Sequence, residues 1–123
     1  MKTMEQYAEV FDESQALRSV GGDRQFLAEV IGLMQAAWPT LLADIREGLA
    51  RADLCAVEAT ARLAKAAARN LAARRAYASA LELETMAGKG DFQAAQRARA
   101  RLEQEVEILQ LALSALGHSR RLP

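Results

Sequence analysis

The chain has 123 residues, 51% of them hydrophobic, with 16 basic and 16 acidic side chains and a formal net charge of zero. That length fits one domain able to bury its own core, and the charge balance excludes bulk electrostatic attraction to nucleic acid or a membrane surface. The single cysteine, Cys55, excludes an internal disulfide and a cysteine zinc cluster.

Two prolines, seven glycines and only 5% aromatic residues favour an all-helical protein with a core of Leu, Ala, Val and Ile. Met1 to Glu9 is polar and charged, without the apolar segment of a signal peptide. No apolar run approaches the roughly 20 residues that span a bilayer. A cytoplasmic protein without membrane contact is expected.

Residues 1–10 read as an N-terminal extension, a short helix or a frayed segment. A firmer short helix starts at Phe11-Asp12. Asp12 caps its first turn and Gln15 completes a weak capping-box pattern. Gly21-Gly22 ends it, because glycine takes the left-handed conformation that closes a helix.

Asp23 is the next cap. Phe26, Leu27, Val30, Ile31, Met34, Trp38, Leu41, Leu42, Ile45 and Leu49 then recur at 3–4 spacing, predicting one long amphipathic helix over 23–52. Pro39 lies in its middle, where proline removes a backbone hydrogen bond. The stripe stays in phase across it, so a kink at or before Trp38 is expected rather than a break.

Asp53 caps a helix over 53–72 with Leu54, Val57, Ala61, Ala64, Ala68 and Leu71 inward. This stripe is the least bulky of all, so close approach to its neighbours is expected. A helix over 74–88 follows, with Ala76, Ala80, Leu83 and Ala87 inward. Gly88-Lys89-Gly90 is the stop and Asp91 the next cap. Phe92, Ala95, Leu102, Val106, Leu109, Leu113 and Leu116 mark the last helix, over 91–116. Gly117 is expected to end it, leaving 118–123 as a disordered basic tail.

Four substantial helices with short connections predict an all-α, antiparallel four-helix bundle over 11–117 with a short extra N-terminal helix. The chain is expected to be a monomer or homodimer.

The most uneven charge lies between Glu58 and Glu82. No acid occurs there, while Arg62, Lys65, Arg69, Arg74 and Arg75 do. Arg62, Lys65 and Arg69 are spaced i, i+3, i+7 and share a helix face. That face is either a solvated cationic surface or a docking surface for an acidic partner or a phosphate.

No catalytic constellation accompanies it. His118, the only histidine, has Ser119, Arg120 and Arg121 as neighbours, which supply no partner for a general base or metal ligand. Cys55 sits in a helix first turn, where a packing role outweighs reactivity. Glu103 and Glu107 are i, i+4 but lack the histidines of a di-iron bundle site. Neither an enzyme, a cofactor nor a metal is expected.

The whole pattern resembles the bacterial histidine phosphotransfer (HPt) domain of two-component phosphorelays. The resemblance runs from Phe11-Asp12 through Gly21-Gly22-Asp23, Pro39-x-Leu41-Leu42, Gly48 to Asp53, Ala68-Arg69-Asn70-Leu71, Leu83-Glu84 and Gly90-Asp91. The family's signature is His-x-x-Lys-Gly-x-x-x-x-x-Gly. Laid on this chain it places Arg62 at the phospho-accepting histidine, Lys65 at the lysine, and Ala66 and Ala72 at the glycines. A shift by one residue, suggested by Leu63, puts Ala61 at that position instead.

Neither register supplies a histidine. A guanidinium stays protonated and has no nucleophilic lone pair, yet binds carboxylates and phosphates in bidentate fashion. The resemblance therefore implies a pseudo-HPt domain in signal transduction that carries no phosphate. It implies a response-regulator receiver domain, or a histidine kinase, as partner, bound through Arg62, Lys65, Ala66, Arg69, Asn70 and Arg74. The rival readings are an oligomerising helical adaptor and a phosphotransfer protein that uses a non-standard residue.

Overall fold

The computed structural model describes residues 8–121, with side chains described through Leu116. Residues 8–10 are helical. Five helices follow: α1 (Glu13–Ser19), α2 (Arg24–Ala50), α3 (Leu54–Asn70), α4 (Arg74–Gly88) and α5 (Phe92–Arg121).

Each start is fixed locally. The Asp12, Asp23, Asp53 and Asp91 carboxylates accept from Gln15 N, Phe26 N, Ala56 N and Ala94 N at 3.0–3.1 Å. These bonds satisfy amides that a helix N-terminus leaves free. The reciprocal half of the capping box at Gln15 does not form, since its Oε1 accepts from Arg74 instead. α4 begins at Ala73 without a side-chain cap.

The stops are also local. Gly21, Gly22 and Gly90 have φ of 68°, 79° and 77°, the left-handed region that glycine enters at little cost. Two further stops use alanine there: Ala52 at φ 54° and Ala72 at φ 52°. Gly117, by contrast, does not end α5, which continues through Arg121. A glycine weakens a helix by about 1 kcal/mol but stops it only when the chain turns left-handed. The expected disordered tail is therefore helical over 118–121, and residues 122–123 lie outside the described residues.

Connections of three residues between successive long helices make α2 to α5 run alternately up and down. The principal contacts are α2 with α3, α3 with α4, α4 with α5, and α5 with α2, which closes the ring. The tightest pairing is α3 with α4. The facing stripe of α3, Ala61, Ala64 and Ala68, is fully buried and only methyl-deep, which lets backbones approach.

The core between the helices takes Leu27, Trp38, Ile45 and Leu49 from α2, Val57 from α3, Ala80 and Leu83 from α4, and Leu102, Val106, Leu109 and Leu113 from α5. At Gly48 a Cβ would stand 2.8 Å from Val57 Cγ2, so glycine sets how closely α2 and α3 meet. Phe26 departs from its expected place in the α2 stripe: it is 49% exposed. The stripe outruns the shorter α3, so nothing from that helix covers its first turn.

α2 runs through Pro39 unbroken. Proline brings no N–H to the Gln35 carbonyl four residues back. That carbonyl is satisfied from another helix: Gln110 Nε2 of α5 donates to Gln35 O at 3.0 Å. By length and composition α2 is also apolar enough to cross a membrane, although no uninterrupted apolar run of that length marks it in the sequence. Its one proline and its buried stripe serve the bundle wall.

Candidate functional site

The basic residues singled out from the sequence lie along α3 and the start of α4, and their electrostatics are not those of an open cationic stripe. Glu84 of α4 reaches across to α3. Lys65 Nζ donates to Glu84 Oε1 at 2.7 Å, and Arg62 Nε donates to Glu84 Oε2 at 2.9 Å. The Glu84 side chain is 14% exposed, Lys65 20% and Arg62 63%. Lys65 is thus turned into the α3–α4 seam while the outer edge of the Arg62 guanidinium stays in solvent.

The two hydrogen bonds, Lys65 first and Arg62 second, hold the Glu84 carboxyl below the usual carboxylate range, against the opposing effect of its burial. The same carboxylate raises Arg62 further above its already high value. Arg62 is a fixed cation here, with no deprotonated nitrogen to attack phosphorus.

Arg69 lies one turn on. Its Nη2 donates to Tyr77 Oη at 3.2 Å, and the guanidinium carbon stands 5.4 Å from the ring centroid, a cation–π distance. Arg74 does not share the α3 face. It opens α4 and donates to Asp12 Oδ2 at 3.0 Å, tying α4 to the cap of α1. A cleft of about 170 Å³ lies between these two arginines, walled by Ala68, Ala72, Ala73 and Tyr77.

Ala66 and Asn70 are exposed, as is Leu63 at 61%. The face that α3 presents to solvent is therefore Arg62, Leu63, Ala66, Arg69 and Asn70. Ala61, the alternative match to the histidine position, is fully buried and can touch no partner.

Along α3 itself the acid that acts on the stripe is Glu58, four residues before Arg62; α4 and the α1 cap bring further partners. Glu84, Tyr77 and Asp12 are the residues that the sequence reading missed. A signal was present for the first two. Tyr77 and Glu84 are i, i+7 on α4, and the short 71–73 connection folds α4 back alongside α3. Arg75, noted only as a charge, makes a bidentate pair with Glu105 of α5 at 2.5 and 2.7 Å and belongs to the scaffold.

Glu103, weighed as a metal ligand, accepts from both Arg46 and Arg99. Among the described residues no group of three His, Cys, Asp or Glu side chains could hold a metal ion. Cys55, expected to pack inside, is instead exposed at the start of α3, on the helix side away from buried Val57 and Ala61. His118 lies beyond the described side chains. No family model, curated protein or solved structure matches this chain.

Proposed function

We propose that the chain is a non-catalytic, HPt-like docking module of two-component signalling. It binds the acidic phosphorylation pocket of a receiver domain through the exposed face of α3. The observation that carries this reading is the position of Arg62. It projects from the middle of one helix of a four-helix bundle, where the resemblance puts the phosphohistidine, with Lys65 one turn below it.

Two further features support the reading. Ala72, matched to the second glycine of the family pattern, has the left-handed backbone that glycine favours. Ala66, matched to the first, lies exposed beside Arg62, where a docking surface must be flat. Arg62 offers two outward guanidinium nitrogens to a carboxylate or phosphate, a bidentate geometry that a lysine lacks.

Such a module competes with an active phosphotransfer protein or holds a receiver in one state. The rival adaptor reading needs an apolar face large enough to drive oligomerisation. The exposed α3 face mixes Leu63 with three polar side chains, which suits a transient partner better.

The test is calorimetric titration of receiver domains at two salt concentrations with wild type, Arg62→Ala and Ala66→Glu. Ala66→Glu puts a carboxylate on the exposed face, where at i+4 it also competes with Glu84 for Arg62; an unchanged urea midpoint for this variant separates docking from folding. Binding that weakens with salt and is lost in Ala66→Glu is expected, since like charges at an interface cost several kcal/mol. Equal affinity of all three proteins for every receiver tested sinks the docking reading.

A further inference from the structure

On the side of the bundle formed by α2 and α5, a groove of about 390 Å³ runs between Trp38, Pro39 and Leu42 on one wall and Val106, Gln110 and Leu111 on the other. That volume is within the range of small-molecule sites, roughly 300–1,000 Å³. Glu103, Glu107 and Ser114 complete the lining.

Two polar atoms of the lining residues are buried without a hydrogen-bond partner: Trp38 Nε1, a donor, and Gln110 Oε1, an acceptor. They are the unpartnered buried side-chain atoms among the described residues, and both belong to residues that line this one groove. The Trp38 residue is fully buried. Leaving such groups unmatched costs on the order of 1–3 kcal/mol each.

The sense of the Gln110 amide is set by the fold. Pro39 leaves the Gln35 carbonyl without its helical donor, and Gln110 Nε2 fills that role. The amide is thereby turned so that its oxygen is the end left over. Gln35 Nε2 in turn donates to Ser114 Oγ at 3.4 Å, bracing the same wall. Below the apolar lining there is therefore one fixed donor and one fixed acceptor.

We infer that this groove is a binding site for a small neutral amide with an apolar body. The amide carbonyl accepts from Trp38 Nε1 and its N–H donates to Gln110 Oε1. The apolar body lies against Pro39, Leu42, Val106 and Leu111. Glu107 in the lining disfavours a carboxylate, whereas Glu103 is already neutralised by Arg46 and Arg99. Both unpartnered atoms are closed to solvent in the empty groove, so the amide enters with a small outward shift of the Leu111 side chain, while Gln110 keeps its bond to Gln35. Leu111 is 66% exposed and free to move. The site is independent of the α3 face.

Trp38 is the only tryptophan in the chain, so its indole N–H gives a single resolved resonance in a nitrogen–proton correlation spectrum. The probes are benzamide, its apolar analogue ethylbenzene and its anionic analogue benzoate. Benzamide is expected to move the indole resonance downfield in a saturable way, with ethylbenzene and benzoate at least about tenfold weaker. Gln110→Leu is expected to weaken benzamide at least about fivefold. Because that change also frees the Gln35 carbonyl, Leu42→Phe is run beside it to fill the groove and leave the polar pair intact, and it too should block binding. An indole resonance that stays still with benzamide, or contacts only water, overturns the site. So does equal binding of benzamide and ethylbenzene, or unchanged binding in Leu42→Phe.

Discussion

The α3–α4 pair and the α2–α5 pair solve the same packing problem in opposite ways. α3 meets α4 through alanines at its buried positions and places its bonding at the rim, where Glu84 holds Lys65 and Arg62. α2 meets α5 through bulk, with Trp38, Ile45, Leu102 and Leu109 inside, and bonds through Gln110 to Gln35 and through the bidentate pair of Arg46 with Glu103. Close backbones fix α3 and α4 against each other and leave a flat outer face. Large side chains hold α2 and α5 further apart and leave a groove between them. A docking face suits the first arrangement, and a small-molecule site suits the second.

The two regions should therefore fail under opposite substitutions. Trp38→Ala removes the largest buried side chain and is expected to cost about 3–5 kcal/mol, the usual range for a truncated core aromatic. Urea unfolding followed by far-ultraviolet circular dichroism measures it. A loss below 1 kcal/mol would mean that α2 and α5 are not packed around this ring.

Next in size is the reverse change in the other pair. Ala64→Leu forces three extra carbons into the α3–α4 seam and should cost about 1–3 kcal/mol through overpacking, although leucine and alanine are both good helix formers. Unchanged stability would show that the seam has room to spare.

The third prediction is a gain. Ala72 sits left-handed, where a Cβ costs roughly 1–2 kcal/mol. Glycine relieves that but adds roughly 0.4–1 kcal/mol of unfolded-state entropy. Ala52→Gly, at an exposed position, should stabilise the chain by about 0.5–1 kcal/mol, whereas Ala72→Gly also gives up a buried methyl worth about 0.8 kcal/mol and should gain less. A lower midpoint in Ala52→Gly would contradict the backbone geometry.

The smallest expected effect is in the pH dependence. Glu84 has its folded pKa lowered by Lys65 and Arg62. Its contribution to stability is therefore complete above the unfolded value, about 4.3. It is lost as pH falls through the lowered folded value. Wild type should lose stability more steeply than Glu84→Gln as pH is taken from 5 towards 3, with the gap between them constant above about pH 5. Parallel curves over that window would show that the clamp is loose in solution.

Much of the fold was legible because helix starts and stops depend on neighbours within four residues. An aspartate binding an amide three positions on needs no tertiary contact, and all four Asp caps formed where the sequence put them. The buried sets Val57, Ala61, Ala64, Ala68 and Ala76, Ala80, Leu83, Ala87 follow from 3.6-residue periodicity alone. The candidate face was half legible: Arg62, Ala66, Arg69 and Asn70 do share the exposed side of α3. Glu84, the acid that restrains it, lies outside the charge gap that drew attention to the stretch.

By itself, then, the sequence determined which segments are helical, which way each helix turns its apolar side, and that short connections make the helices antiparallel. It also placed Arg62, Ala66, Arg69 and Asn70 on one helix face. Tertiary structure alone decided the partners of the charges and of the orphaned groups. It paired Lys65 and Arg62 with Glu84, moved Arg74 off the α3 face to Asp12, and answered the missing proline N–H with Gln110. The reason is one of range. Caps and stripes are set by bonds within a turn, whereas contacts between helices depend on their relative register and rotation, which only the packed core fixes.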